Sequence, residues 1–231
     1  MPIILVLVLI ALVGYLWGSI PSGYWMGKLL RGKDFDIRDY GSHKTGATNV
    51  LRTLGRGPAA IVFAVDLSKG VGPTLLATFI PIFFFSGWGP TIAGLMAMIG
   101  HIFPIFIGFK GGRGVMTGSG ALLVIEPFAF LAALVTTTGT IAISRYVSLG
   151  SIVGALTAML YGIIFFFVGR SNPTFIGRVS LAQLVFLLVS PALVILFHYD
   201  NIGRLLAGKE RKIGQKEASA APTSAPSNSQ A

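Results

Sequence analysis

The sequence predicts an all-α, polytopic integral membrane protein with about seven transmembrane helices, its N-terminus outside and its C-terminus in the cytoplasm. Of its 231 residues, 53% are hydrophobic and only 11% are charged, whereas soluble domains carry about 25% charged residues. The hydrophobic residues also fall into runs that approach the roughly 20 residues a membrane helix needs. Finally, the basic residues gather between alternate runs, as the positive-inside rule expects.

The first apolar run covers residues 2–27 and has no Lys or Arg before it and no small-residue cleavage site after it. It therefore predicts a true first span rather than a removable signal peptide. The other predicted spans are 71–85, 90–109, 114–125, 127–143, 149–168 and 179–197.

Two segments leave the span assignment open. Run 114–125 is short, and Glu126-Pro127 separates it from run 127–143. These two runs form either two spans or one kinked, re-entrant element. Residues 59–65 are too few to cross the bilayer, and we expect a half-helix entering from the cytoplasmic face.

The net charge of +10 is explained by membrane orientation. If the seven spans cross the membrane in turn from an external N-terminus, sixteen of the 18 basic residues lie on the cytoplasmic side and only Arg170 and Arg178 lie on the other. Nucleic-acid binding is disfavoured because the aromatic residues lie mainly in the apolar runs rather than interleaved with the basic ones. Residues 1–216 are predicted to form one membrane domain, followed by a disordered cytoplasmic tail at 217–231, which is rich in Ala, Ser and Pro.

Several kinds of chemistry are absent from the sequence. The chain contains no cysteine, and none of its three histidines is followed five residues later by Asp. There is no G-x-S-x-G elbow, no S-x-x-K motif and no His-x3-His pair. We therefore expect no activated protein nucleophile, no metal site and no cofactor.

The first cluster with binding chemistry spans residues 41–52. Small residues allow a backbone to bend and turn its N–H groups toward an anion. Arg52 would add a bidentate clamp for phosphate. The other candidate ligands in this cluster are Ser42, Thr48 and Asn49. The alternative is an ordinary polar loop with a helix cap.

The second cluster is the loop Lys110-Gly111-Gly112-Arg113-Gly114. It precedes a predicted helix, whose free N–H groups and dipole favour an anion. The alternative is a tight turn that carries positive-inside charges. The nearby His101 is expected to be a structural, hydrogen-bonding residue.

Three further features concern pairing and packing. Asp66 and Lys69 are three residues apart and are expected to pair on one helix face. His198 and Asn201 lie one helical turn apart, at the cytoplasmic end of the last span, where Asp200 and Glu210 would tether Arg204 or nearby basic residues. Close helix packing is predicted at Gly14-x3-Gly18, Gly23-x3-Gly27 and Gly150-x3-Gly154.

Taken in order, these motifs resemble the bacterial acyl-phosphate:glycerol-3-phosphate acyltransferases. The segments that carry the resemblance are 18–24, 46–52, 66–70, 101–117, 145–151 and 198–210. The resemblance implies transfer of an acyl group from acyl phosphate to the 1-hydroxyl of glycerol-3-phosphate, giving lysophosphatidate and phosphate. It also implies a multi-pass protein of the bacterial inner membrane with a site facing the cytoplasm. Membrane lipid and the two substrates are its expected partners, without nucleic acid or an obligate protein partner.

Two departures from the family pattern concern the site. His43 stands where the family usually has glycine, and Arg113 stands where it commonly has lysine. An arginine keeps the charge, but its planar fork changes the contact geometry.

Acyl phosphate is already an activated donor, so positioning and electrostatic stabilisation suffice and a substrate phosphate takes the proton. We expect Ser42, Thr48, Asn49 and Arg52 to hold one phosphate, that of the donor. Residues 110–114 would hold the phosphate of glycerol-3-phosphate, although which loop holds which phosphate stays open. His198 and Asn201 would orient the glycerol or its phosphate.

A membrane transporter of phosphate or organophosphate anions is the alternative function. It is disfavoured because the basic and polar groups crowd one face, without matching ionisable residues mid-span.

Overall fold

A computed structural model describes residues 2–80, 87–172 and 178–215, and it confirms the all-α class. Ten α-helices occur in these residues: α1 (Ile3–Gly18), α2 (Ser22–Arg31), α3 (Ala47–Thr53), α4 (Arg56–Thr78), α5 (Trp88–Ile102), α6 (Val115–Ile125), α7 (Pro127–Ser144), α8 (Val147–Ser171), α9 (Leu181–Leu196) and α10 (Tyr199–Leu206). Short 3-10 turns follow α2 and α5, at Ile37–Asp39 and Ile105–Ile107.

Five segments of the described chain are long and apolar enough to cross a membrane: Ile3–Arg31, Arg56–Thr78, Trp88–Ile107, Pro127–Ser144 and Val147–Ser171. The pair α9 and α10, bent by 58°, makes a sixth if it is counted as one span. The short α6 has 11 residues, about 16 Å at 1.5 Å per residue. The chain is therefore a multi-pass membrane protein, while the count of seven and the orientation of the termini stay predictions.

Helices α6 and α7 are two separate helices that meet at Glu126, with Pro127 in the first turn of α7. The Gln183 side chain, in the first turn of α9, donates to the carbonyl of Ile125 at 2.8 Å and to Glu126 at 3.1 Å. The last turn of α6 therefore lies beside the start of α9, far from the end of α9 that carries His198.

The predicted half-helix at 59–65 is wrong. These residues belong to α4, which continues to Thr78 through Asp66 and Lys69. The two charges neutralise each other on one face, so the helix continues instead of ending at a polar boundary.

Other predicted boundaries shift as well. The run 2–27 is divided into α1 and α2, because Pro21 has no N–H to donate to a continuous helix. The run 71–85 extends into residues 81–86, which lie outside the described part of the chain. The predicted tail at 217–231 also lies outside it.

Small residues bring the helices into close contact, as predicted. A Cβ added at Gly18 would lie 2.0 Å from the carbonyl oxygen of Ala97 in α5, and one added at Gly154 would lie 2.0 Å from Oγ1 of Thr137 in α7. A contact that the sequence did not indicate joins α4 and α6, where a Cβ at Gly70 would lie 1.9 Å from the carbonyl oxygen of Thr117. Such close approach is typical of helix packing in lipid.

The outer surface of the bundle exposes large apolar side chains, including Ile4, Ile143 and Leu160. Exposed apolar surface of this kind suits contact with lipid. Inside, one apolar cluster joins α6, α7, α8 and α9 around Leu122, Ala158 and Phe186. The polar loops before α3, before α6 and after α9 gather at one end of the bundle, and they surround the cavity described next.

Candidate active site

A cavity of about 490 Å³ opens between α4, α6, α7, α8 and α9. One end is polar, and the remainder is lined mainly by apolar side chains that follow the helices into the bundle. The polar and charged side chains at the first end are Ser42, Lys44, Thr48, Asn49, Arg52, Asp66, His101, Arg113, Ser148, His198, Asn201 and Glu210.

The cavity brings together most of the residues predicted from the sequence. Of the first cluster, Ser42, Thr48, Asn49 and Arg52 all line it. Of the second, Arg113 and Gly114 do so, and His198 and Asn201 complete the set. Residues from both glycine-rich segments and from the last span therefore line one cavity, while their roles toward a ligand stay predictions.

Asn49 does not offer its side chain to a ligand, which corrects its predicted role. The side chain is 1% exposed. Its Nδ2 lies within 3.0 Å of the carbonyl oxygens of Ile37, Tyr40 and Lys44, and its Oδ1 accepts from the backbone N–H of Ser42 at 2.8 Å. Asn49 therefore fixes the shape of the preceding loop, and the Ser42 N–H is used within that loop.

The loop also accommodates His43 where the family usually has glycine. His43 has a φ of +56°, in the left-handed region that glycine adopts readily. Its ring Nδ1 lies 2.8 Å from the carbonyl oxygen of Arg38. This contact helps to hold a histidine in a conformation that side chains seldom adopt.

The glycines of the second loop also have a different role from the predicted one. The N–H groups of Gly111 and Gly112 donate to the carbonyls of Ile102 and His101, each at 3.1 Å. These two N–H groups are therefore not available to an anion. A Cβ at Gly112 would lie 2.1 Å from Nε2 of His101, so glycine is required here by close packing.

Lys110 lies apart from the other predicted ligands, in a second cavity of about 660 Å³ that Gly111 and Gly112 also line. The Lys44 side chain lines both cavities. The loop 110–114 is therefore divided, because Arg113 and Gly114 face the first cavity. Arg113 is held there by a hydrogen bond from its Nε to the carbonyl of Phe197 at 3.1 Å.

His198 stands at the bend between α9 and α10. Its Nδ1 lies 2.6 Å from the carbonyl oxygen of Val194. A carbonyl oxygen can only accept, so Nδ1 carries the proton, and Nε2 of the neutral ring is an acceptor. The ring is 3% exposed and lines the cavity.

Glu210 organises the polar side chains around His198. Its Oε1 accepts from Asn201 Nδ2 at 2.6 Å and from Ser148 Oγ at 2.8 Å, and its Oε2 accepts from Arg204 Nε at 2.7 Å. The predicted tether of Arg204 is confirmed. Burial alone would raise the pKa of Glu210, but the hydrogen bonds from Ser148, Arg204 and Asn201 lower it below its usual value.

Asn201 is left with an unused acceptor. Its Nδ2 must face Glu210, since a carboxylate only accepts, and this fixes the orientation of the amide. Its Oδ1 is buried and has no hydrogen-bond partner within residues 2–80, 87–172 and 178–215. A buried acceptor without a partner costs about 1–3 kcal/mol, so this oxygen is a candidate contact for a substrate hydroxyl.

The predicted pair of Asp66 and Lys69 is confirmed, with 2.5 Å between Nζ and Oδ1. Both side chains are about 2% exposed. Ser22 Oγ donates to Asp66 at 2.6 Å, and the His101 ring lies 3.7 Å from the same carboxylate oxygen. Asp66 lines the polar end of the cavity, and the contacts of the pair link α2, α4 and α5.

Sequence reasoning did not single out Lys44, Ser148 or Glu210 as lining the site. Ser148, at the start of α8, and Glu210, after α10, are far apart in sequence and come into contact only because both lie at the same end of the helix bundle. Within the described residues, no group of three or more His, Asp and Glu side chains could hold a metal ion.

The fold and the site define an integral membrane protein of several spans whose polar end gathers arginine, histidine and amide groups beside an apolar groove. A family model described as "Glycerol-3-phosphate acyltransferase" matches residues 8–208. The chain therefore belongs to the glycerol-3-phosphate acyltransferase family.

Individual relatives agree with this assignment. A glycerol-3-phosphate acyltransferase of Parasynechococcus marenigrum (strain WH8102) is 43% identical over 215 residues, covering 93% of each chain. One of Thermoanaerobacter sp. (strain X514) is 42% identical, covering 90% of this chain and 96% of the relative. A crystal structure of PlsY (YgiH), "an integral membrane glycerol 3-phosphate acyltransferase" in its glycerol 3-phosphate form, is 36% identical with a TM-score of 0.78. That match covers 90% of this chain and 96% of PlsY.

Proposed function

We propose that the chain transfers an acyl group from acyl phosphate to the 1-hydroxyl of glycerol-3-phosphate, forming lysophosphatidate and inorganic phosphate. The observation that carries this proposal is the continuity of the first cavity from a cationic end to an apolar groove. A molecule with a phosphate head and an acyl tail fits along such a cavity. Related PlsY structures in glycerol 3-phosphate and lysophosphatidic acid forms support the same substrate class.

The cationic end suits two phosphates that must approach each other. Lys44, Arg52 and Arg113 line it. Their fixed charges would offset the repulsion between two anionic substrates. The hydroxyls of Ser42 and Thr48 would add neutral donors to the same phosphates, whereas Asn49, Gly111 and Gly112 would act by holding the two loops in shape.

His198 and Asn201 suit hydroxyl groups better than phosphate. The His198 Nε2 and the Asn201 Oδ1 are both acceptors, and an acceptor would repel a phosphate oxygen. We assign them to the hydroxyls of the glycerol, which they would orient toward the acyl carbon. Glu210 would keep Asn201 in the orientation that presents Oδ1.

The transfer would need no covalent acyl-enzyme. The 1-hydroxyl oxygen forms a bond to the acyl carbon, the bond from that carbon to the phosphate oxygen breaks, and phosphate leaves with the electron pair. The hydroxyl proton passes to a phosphate oxygen of a substrate. Glu210 is a poor general base because its pKa is lowered by three hydrogen bonds. Orientation and charge stabilisation would supply the rate, with effective molarity contributing about 7–11 kcal/mol.

In the cell, we place this reaction at the bacterial inner membrane, with the polar end facing the cytoplasm. Glycerol-3-phosphate would then reach Arg52 and Arg113 from water, and the acyl donor would reach the groove from lipid. The positive-inside distribution of the basic residues supports this orientation.

The test compares acyl donors with the purified protein. Acyl phosphate, acyl-CoA and acyl-carrier protein are each supplied with glycerol-3-phosphate, and lysophosphatidate is measured. Of the three donors, we expect only acyl phosphate to give product. Arg113→Ala should reduce product formation at least tenfold. Arg170→Ala, at the far end of α8, should change it little. Equal use of acyl-CoA would contradict the proposed donor. Substrate flux into liposomes without product would favour the transporter.

A further inference from the structure

The apolar part of the first cavity has a closed end, and we propose that this end sets the length of acyl chain that the enzyme accepts. Leu122 of α6, Phe130 of α7 and Ala158 of α8 line the cavity, and on each of these helices they are the lining residues furthest from the polar end, so we assign the closed end to them. The inference rests on the proposed function, since it assigns the groove to the acyl chain of the donor and of the lysophosphatidate product.

The groove follows one face of each helix that lines it. On α7, Phe130, Ala133, Thr137 and Ile141 line the cavity. These positions are three or four residues apart, so their side chains share one helix face. Positions 148, 151, 155 and 158 form the corresponding stripe on α8. The two stripes run side by side, since α7 and α8 are consecutive and pack closely at Gly154.

The polar end and the closed end lie at opposite ends of these stripes. Ser148 donates to Glu210 at the polar end, and Ala158 lies ten residues further along α8. Ten residues of helix cover about 15 Å. An extended hydrocarbon advances about 1.3 Å per carbon, because each C–C bond of about 1.5 Å is inclined to the chain direction. The groove therefore holds about a dozen carbons.

The closed end is part of the packed interior of the protein. Ala158 is 2% exposed and Leu122 is 7% exposed. Both belong to the same apolar cluster as the fully buried Phe186 and Leu187. A chain that reaches this cluster cannot advance without displacing closely packed side chains.

The side of the groove differs from its end. Phe63 of α4 and Leu134 of α7 line the cavity and are also 47% and 44% exposed. Each of these residues borders both the cavity and the outer surface, so an apolar chain can enter the groove sideways from lipid near them. Carbons beyond the closed end must turn back toward this opening, where they lose contact with the groove.

The expected effect follows from the value of each buried methylene. Burying one CH₂ group contributes about 0.8 kcal/mol, or about fourfold in an equilibrium constant. A larger side chain at the closed end shortens the groove and should therefore lower activity selectively with long acyl chains. A smaller side chain there lengthens the groove and should favour long chains. Short acyl chains do not reach the closed end, so activity with them should not change.

The experiment measures kcat/KM for acyl phosphates of about 8 to 16 carbons with Ala158→Leu, Leu122→Ala and the wild type. At each chain length, the kcat/KM of the variant is divided by that of the wild type. This ratio cancels the partitioning of the substrate into detergent or lipid. With Ala158→Leu, we expect a ratio near one at the shortest lengths and a loss of tenfold or more at the longest. With Leu122→Ala, we expect the ratio to rise by about fourfold or more from the shortest chain to the longest.

Ala142→Leu is the matched control, because Ala142 is exposed on α7 and does not line the cavity. Its ratio should not change with chain length. If Ala158→Leu fails to fold, Leu122→Ala decides alone. A ratio independent of chain length in the folded variants would overturn the inference and leave the proposed function intact. A wild type that uses no acyl phosphate of any length would overturn both.

Discussion

Single residues in the site act mainly by fixing the positions of other groups. Asn49 holds three carbonyls and one N–H of the loop before it, and Glu210 holds Ser148, Asn201 and Arg204. The sequence could predict that Asn49 and Asn201 belong to the site, because they stand in polar clusters beside apolar runs, but it did not single out Ser148 or Glu210 as lining it. It could not predict that Asn49 is used up by its own loop, since those carbonyls are aligned only in the folded chain.

Glu210 should make stability depend on pH. The hydrogen bonds to Glu210 lower its pKa in the folded protein below the value of 4.5 that the unfolded group has. The carboxylate therefore stabilises the fold above the unfolded pKa, and this contribution is lost as the pH falls through the folded pKa. We expect Glu210→Gln to lower the Tm in detergent at pH 7, and the difference from the wild type to shrink as the solution is acidified. A difference that is constant with pH would contradict this role.

Gly112 should be intolerant of a side chain. An alanine there must displace the His101 ring, which lies against Asp66. We expect Gly112→Ala to lower kcat/KM for glycerol-3-phosphate at least tenfold. Gly139→Ala in α7 is the control, because a Cβ at that position meets open space. Its activity should stay within about twofold of the wild type. Equal activity of the two variants would show that this packing is not needed.

At the scale of the elements, helix α4 shows what the apolar runs could and could not predict. Asp66 and Lys69 interrupt the run, so hydropathy divided it into a half-helix and a span. The structure keeps one helix, because burying Asp66 and Lys69 as a pair costs less free energy than burying either charge alone. Ser22 and Thr117 add hydrogen bonds to Asp66, one to its carboxylate and one to its backbone carbonyl. The close approach of α4 to α6 through Gly70 and Gly120 was also not predictable. Neither glycine belongs to a small-residue motif that the sequence analysis singled out.

Breaking the buried pair in α4 should be far more damaging than removing it. Asp66→Asn leaves the Lys69 ammonium buried without its partner, which costs about 3–5 kcal/mol. We expect a large loss of Tm in detergent for this variant. The double variant Asp66→Leu, Lys69→Met carries no buried charge and should recover part of that loss. Equal stability of Asp66→Asn and the wild type would contradict the structural role of the pair.

For the whole molecule, the sequence predicted the class and the gathering of the motifs, because both depend on charge and hydropathy summed over long segments. The positions of the spans were less well predicted. The 58° bend between α9 and α10 depends on packing between helices that are distant in sequence, whereas the break at Pro21 and the shortness of α6 are local to the chain. The apolar groove is likewise a property of five helices together, and no single stretch of sequence contains it.

The proposed chemistry requires the two basic loops to open on one side of the bilayer, where both phosphates would be held, and cysteine labelling can test this requirement. The chain has no cysteine of its own, so Lys44→Cys, Lys110→Cys and Ser171→Cys each introduce a single thiol. The variants are labelled with a membrane-impermeant maleimide in vesicles of known orientation. We expect positions 44 and 110 to react from the cytoplasmic side and position 171 from the opposite side. Labelling of 44 and 110 from opposite sides would contradict it, because their phosphates could not then meet.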